Sequence, residues 1–302
     1  MTYILQAIYE TPWAILPGKL ADIVAVAQRH AAGERLAPEV VAEIAAAANG
    51  RQAARQAGAV AVLPVIGTII PRGDLLAESS GAVSAQRLSA NFRAALADPA
   101  VGAIVLDIDS PGGSVYGVEE LASEIYKARG VKPVVAVADH LAASAAYWLA
   151  VSADEIMVAP SGDVGSIGVF AIHADYSRAI DQEGVTVSLV SAGKFKTEGN
   201  PYAPLGDEAR AAMQVRVNDF YGAFTKAVAR GRGVSAATVR EGFGQGRVVG
   251  AAEAVAQGMA DHIGTLDDAI LRAAKLARAA PGDTDQRQRR ARALAFGGQH
   301  LE

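Results

Sequence analysis

The feature that most limits what this chain can fold into is the stretch from Ala59 to Ala159. Predominantly apolar runs alternate there with short turns and amphipathic segments. The runs at 59–70, 101–108, 133–138 and 155–159 lack the polar–apolar alternation of a strand with one wet face, so they read as strands buried on both faces. Helical periodicity at 84–96, 115–128 and 142–150 supplies the crossovers that parallel strands require. The pattern predicts an α/β domain with a mainly parallel sheet and flanking helices.

The rest of the chain divides around that core. Residues 1–57 read as a helical arm, with an apolar stripe of Leu20, Ile23, Val24, Val26 and Ala27 and a second helix opened by Pro38 and ended by Asn49-Gly50. Neither helix can form a core alone, so the arm should pack on the main domain or on a neighbouring subunit, with Trp13 as its anchor. Residues 58–278 form the main domain. Beyond 159 it holds a strand at 185–190, a polar loop at 191–205 and a long helix from Asp207, stopped by Gly231-Arg232-Gly233. Ser235 caps a short helix, and a helix at 250–257 leads to a short strand at 259–261. Residues 279–302, with Arg287, Arg289, Arg290 and Arg292, read as a basic flexible tail.

Composition removes several function classes. Hydrophobic residues are 51% of the chain and charged residues 20%, enough for a sizeable core. A net charge of -4 gives no electrostatic case for a nucleic-acid partner. Cysteine is absent, which excludes disulfides and thiolate chemistry. No basic leader precedes an apolar core, and the run at 141–151 is far short of the ~20 residues of a membrane span. A soluble, cytoplasmic protein is expected. No glycine-rich phosphate loop and no metal-ligand spacing appear, so no cofactor and no metal are expected.

Two segments at predicted strand ends carry chemistry. Ser144 sits among alanines, with its hydroxyl unobstructed and its N–H near a helix start, which suits a nucleophile served by main-chain donors. Taken alone it is equally a helix cap. Ser110-Pro111-Gly112-Gly113 closes the preceding strand, at the sheet edge where α/β domains bind ligands. Its paired glycines would let a backbone N–H face a ligand, or form an ordinary turn. No GxSxG elbow surrounds Ser144, and neither His140 nor His173 makes a compelling triad. Lysine is the other activator of serine. Lys194 and Lys196 lie in the loop at 191–205, where a solvated surface charge is the ordinary role.

Taken together and in order, Asp-Ser-Pro-Gly-Gly, Ala-Ala-Ser-Ala-Ala-Tyr-Trp, Val-Gly-Ser-Ile-Gly-Val and Gly-Lys-Phe-Lys resemble the signal peptide peptidase A/protease IV family of serine peptidases. The resemblance runs from about Ala59 to Ile270. The form Lys196-Thr197-Glu198-Gly199-Asn200-Pro201-Tyr202 is similar to its tailed-phage branch, the head maturation (prohead) proteases. It implies a Clp-protease/crotonase-like fold and a serine endopeptidase with a Ser–Lys dyad. Ser144 matches the nucleophile, Lys196 the general base with Lys194 as fallback, and Ser166 the hydroxyl that orients the lysine. Gly112 or Gly113, with the Ser144 N–H, would form the oxyanion hole. Ala145-Ala146 stand where many members carry glycine. Implied partners are protein or peptide substrates, among them phage scaffold and portal proteins, and further copies of the chain. A crotonase-like acyl-CoA enzyme and a non-catalytic capsid assembly protein are the competing readings. The dyad requires Lys196 neutral near pH 7, a fall of roughly 3 from an ordinary value near 10.4, which burial can supply. The small residues around Ser144 lead to an expected preference for small or apolar side chains before the cut.

Overall fold

A computed structural model describes residues 3–34, 37–51, 53–73, 82–279 and 294. Most of the predicted basic tail, the terminal residues and most of the loop after residue 73 lie outside the described residues.

The expected parallel sheet is present. Its strands are β3 (Val60–Ile66), β6 (Ala103–Ser110), β8 (Val134–Ala143), β9 (Glu155–Val158) and β10 (Asp163–Gly165), each parallel to the strand it adjoins. β8 is shared, pairing with β9 along its first half and with β10 along its second. Antiparallel β2 (Arg55–Ala57) and β11 (Val248–Gly250) close the two ends of the main path, and β12 (His262–Ile263) adds to β9.

Helices cover both faces, which is why the central strands carry apolar residues without alternation. One face holds Val60, Val62, Val105, Val135 and Val137 against α11 (Leu266–Ala279), whose Ala269 and Ala273 let it approach closely. The other packs Leu63, Leu106, Ile108 and Ala136 beneath α4 (Ala85–Ala97), α5 (Val118–Lys127) and α6 (Ala145–Ala150). Ser84 caps α4, its hydroxyl accepting from the Arg87 N–H. The long helix is α8 (Asp207–Arg232), and Trp148 of α6 stacks on its Phe224 with centroids 4.7 Å apart. Arg232 of α8 grips Asp261 with two bonds of 2.9 and 2.8 Å, and Asp261 also accepts from the Ile156 N–H. Burial alone would raise the Asp261 carboxyl, but these donors hold it below its ordinary range.

A second sheet joins β4 (Ile69–Ile70), β5 (Val83–Ser84), β7 (Gly112–Ser114) and β1 (Trp13–Ile15). β1 belongs to the arm. It follows α1 (Tyr3–Glu10) and precedes α2 (Pro17–Ala31) and α3 (Pro38–Arg51). Leu5, Ile8, Trp13, Ile15, Leu20 and Ala27 make a satellite cluster that reaches Phe170 and Ile172 of the main domain.

Four local expectations change. The strand expected to end at Ala138 runs on to Ala143, because β10 pairs with Leu141, Ala142 and Ala143, and the helix starts at Ala145 rather than Ala142. Residues 185–190 form no strand and are exposed, since no described strand lies beside them. The strand expected at 259–261 is instead β12, directly after Asp261. α8 passes through Gly231, where a Cβ would lie 2.1 Å from the Val151 carbonyl oxygen, and ends at Gly233, whose φ of 68° stops the helix.

Candidate active site

The strand extension carries β8 directly into Ser144, at the last residue before α6. Ser144 has φ 57° and ψ -119° and is 1% exposed. A non-glycine residue in that region costs on the order of 1–3 kcal/mol and survives only where its surroundings over-determine it. Here they do. The Ser144 N–H donates to the Gly165 carbonyl at 2.7 Å, and the Trp148 N–H donates to the Ser144 carbonyl at 3.0 Å.

Ser166 occupies the matching position one strand over. The register places Gly165 beside Ala143, so Ser144 and Ser166 follow at the ends of adjacent parallel strands. Ser166 also has a positive φ, 54°, is buried, and donates its N–H to the Arg247 carbonyl at 2.7 Å. Gly165-Ser166-Ile167-Gly168 wraps around Ser144, whose hydroxyl lies 3.4 Å from the Gly168 carbonyl oxygen. Ser144 and Ser166 are therefore brought together.

Gly112 lies against the same serine, and neither it nor Gly113 admits a side chain. A Cβ on Gly112 would stand 2.2 Å from the Ala14 carbonyl oxygen and 2.9 Å from Ser144 Cβ. One on Gly113 would stand 1.9 Å from the Ile69 carbonyl oxygen. Their N–H groups are in use: Gly112 donates to Ser110 Oγ at 3.2 Å, and Gly113 is in register with Ala14 of β1. The expected contribution of the Ser144 N–H to an oxyanion hole is corrected, because the Gly165 carbonyl takes it. The next N–H along, that of Ala145, opens α6 and belongs to the first turn that helix geometry leaves without an intrahelical acceptor.

Lys196 is not part of this assembly. It lies in an exposed segment without helix or strand, its N–H donating to Gly193 O at 3.2 Å. Lys194 is also exposed, pairing with Glu208 at 2.9 Å and lying over the Phe195 ring. The segment is tied down further along, where His173 Nε2 meets the Asn200 carbonyl at 3.0 Å and the Tyr176 N–H donates to Pro201 O. His140 faces Asp139 and Asp109 at the strand ends. Among the described residues no group of three or more His, Asp or Glu side chains is placed to hold a metal, and no helix is long and apolar enough to cross a membrane.

The sequence reading passed over β1. Its Trp13-Ala14-Ile15 pairs antiparallel with Ser114, Gly113 and Gly112, and Trp13 bridges to Phe170 on its other side. The available signal was the pair of prolines, Pro12 and Pro17, bracketing a short apolar run that starts a helix only after the second.

Residues 127–280, just over half of the chain, match the family model described as Peptidase family S49. The chain is 36% identical to "Capsid assembly protease C" of Escherichia phage lambda over 70% of this chain and 48% of that protein. It is 34% identical to "Head-tail preconnector protein GP5" of Enterobacteria phage P21, over 74% of this chain and 45% of that one. A further match, at 34% identity over 73% of this chain and 35% of the relative, is "Protease 4" of Salmonella typhi. The chain thus spans about half the length of the phage relatives it matches. Among solved structures, "1510-N membrane-bound stomatin-specific protease S97A mutant" is similar at TM-score 0.45 and 15% identity, over 72% of this chain and 86% of that one.

Proposed function

Since the chain belongs to Peptidase family S49, we propose that it is a serine endopeptidase in which Ser144 attacks a peptide carbonyl and Lys196 takes its proton. The observation that carries the reading is the strained, buried Ser144 at the β8–α6 junction, with Ser166 at the end of the next strand. The Ala145 N–H, and the Gly112 and Gly113 N–H groups once released from Ser110 Oγ and from β1, would hold the developing oxyanion. The acyl-enzyme is then released by water, which returns the serine hydroxyl.

A lysine serves as base only when burial lowers its affinity for the proton. Lys196 is exposed in the single chain, so the proposed active form is an assembly in which another copy covers residues 185–200. That segment presents Val185, Val187, Leu189 and Val190, with Val190 99% exposed, and pairs with no strand among the described residues. The names of the phage relatives suggest head-assembly proteins, scaffold or portal, as substrates, and the host cytoplasm or the procapsid as the place of action.

The test is incubation of wild type, Ser144→Ala and Lys196→Ala with candidate scaffold and portal proteins, read by mass spectrometry alongside the size of the enzyme in solution. Wild type should cut at defined bonds, and each variant should cut at least 10³-fold more slowly. Val190→Ser should weaken both assembly and cutting. Undiminished cutting by Ser144→Ala would remove the reading.

A further inference from the structure

β1 lies in an unusual place for a piece of an N-terminal arm. It fills the slot between β7, which carries the two glycines, and the segment Gly168–Phe170, which follows the wrap around Ser144. On one side the Leu16 N–H donates to Pro111 O at 2.9 Å and the Val115 N–H to Pro12 O at 3.3 Å. On the other, Trp13 and Phe170 exchange two bonds, at 2.8 and 3.0 Å. Hydrogen-bonded pairs alternate along an antiparallel ladder, so Ala14 and Gly113, midway between the first two bonds, form the pair that exchanges bonds. The Gly113 N–H is thereby engaged by the chain itself. The Ala14 carbonyl also packs so tightly on Gly112 that a single methyl would overfill the space between it and Ser144.

The side chains of β1 alternate in the same way. Ala14 points into the main core on the Ser144 side and is wholly buried. Trp13 and Ile15 point the other way, into the satellite cluster with Leu5, Leu20 and Phe170. The Trp13 indole N–H is satisfied by the Ile8 carbonyl at 2.9 Å. An extended peptide with a small residue between two bulky apolar ones fits this slot, and a large central side chain does not.

We propose that the slot between β7 and Gly168–Phe170 is the peptide-binding cleft and that Trp13–Ile15 occupies it as an intramolecular ligand that substrates must displace. The inference deepens the peptidase reading and rests on it for the role of Ser144. A tethered strand competes at an effective concentration in the millimolar range, so weakly binding peptides are excluded while β1 is seated. Strand addition supplies the main-chain bonds, and the Ala14 position supplies the selection for a small side chain. The arm also touches the lysine segment: the Tyr176 hydroxyl donates to that of Tyr9, and the Tyr176 N–H bonds Pro201 O. Unseating β1 would therefore disturb both halves of the proposed dyad.

The probe is a fluorescein-labelled peptide Thr-Pro-Trp-Ala-Ile-Leu-Pro, and the host is the full chain carrying Ser144→Ala, so that binding is read without turnover. Adding Trp13→Ser and Ile15→Ser, or separately Ala14→Pro, should tighten peptide binding at least tenfold. A peptide with tryptophan in place of its alanine should bind the opened chain at least tenfold more weakly than the parent. In the wild-type chain, which needs no refolding, excess parent peptide should speed hydrogen exchange at the Leu16 amide. Equal affinity for opened and intact chains, or unchanged Leu16 protection at saturating peptide, overturns the proposal. Failure of the peptidase reading has a different signature, normal peptide binding with no Ser144-dependent cleavage.

Discussion

The Ser144 region and the Lys196 region both lie beside apolar runs in the sequence, yet they are built in opposite ways. Around Ser144 the backbone N–H groups of Ser144, Trp148 and Ser166 have partners, two serines are held at positive φ, and two glycines stand where no other residue fits. Around Lys196 the chain from Val185 to Gly199 is almost wholly exposed and forms neither helix nor strand. The difference teaches which half of the proposed dyad the single chain determines. Strain at Ser144 is sustained by the sheet beneath it, whereas Lys196 is exposed among the described residues, and the proposed dyad would need it covered.

The largest expected effect compares glycines from the two regions. Gly113→Ala forces a methyl into the Ile69 carbonyl and should lower stability by about 3 kcal/mol or more, or prevent folding. Gly206→Ala, at the start of α8 beyond the lysine segment, meets nothing within 4 Å and should change stability by about 0.5 kcal/mol at most. Thermal melts of the two variants decide it, and equal losses would break the contrast.

A smaller effect tests where the rigid region ends. α8 leaves the exposed segment at Asp207 and is pinned at its far end by the Arg232–Asp261 pair. Asp261→Asn should cost about 2 kcal/mol near pH 7. The Asp261 carboxyl is held below its unfolded value, so its contribution is full above about pH 4 and fades as pH falls through the folded value. Urea melts of wild type and variant should therefore converge in acid. A constant gap from pH 7 down to pH 3 would show that the pair acts through packing alone.

The layers of the fold were legible because burial on both faces writes itself as unbroken apolar runs, as in Val60–Ile66 and residues 103–106. Ser144 and Ser166 were legible through their motifs, but their juxtaposition depends on the register of β8 with β10. That register was hidden, since three-residue β10 (Asp163-Val164-Gly165) has too little length to show a period. The same brevity hid Trp13–Ile15, whose strand character comes from its neighbours rather than its own three residues. At 185–190 the residues have strand propensity, but a strand also needs an adjacent edge, and among the described residues none lies beside them.

The central claim is that Ser144 is activated by Lys196. Its most direct test is covalent labelling of the assembled enzyme by a fluorophosphonate, with the modified residue identified by mass spectrometry and the rate followed from pH 6 to 10. The account predicts a single adduct on Ser144, a rate that rises with pH in wild type, and a rate at least 100-fold lower in Lys196→Ala at neutral pH. An adduct on another serine, or labelling of Ser144 that Lys196→Ala leaves unchanged, would contradict it.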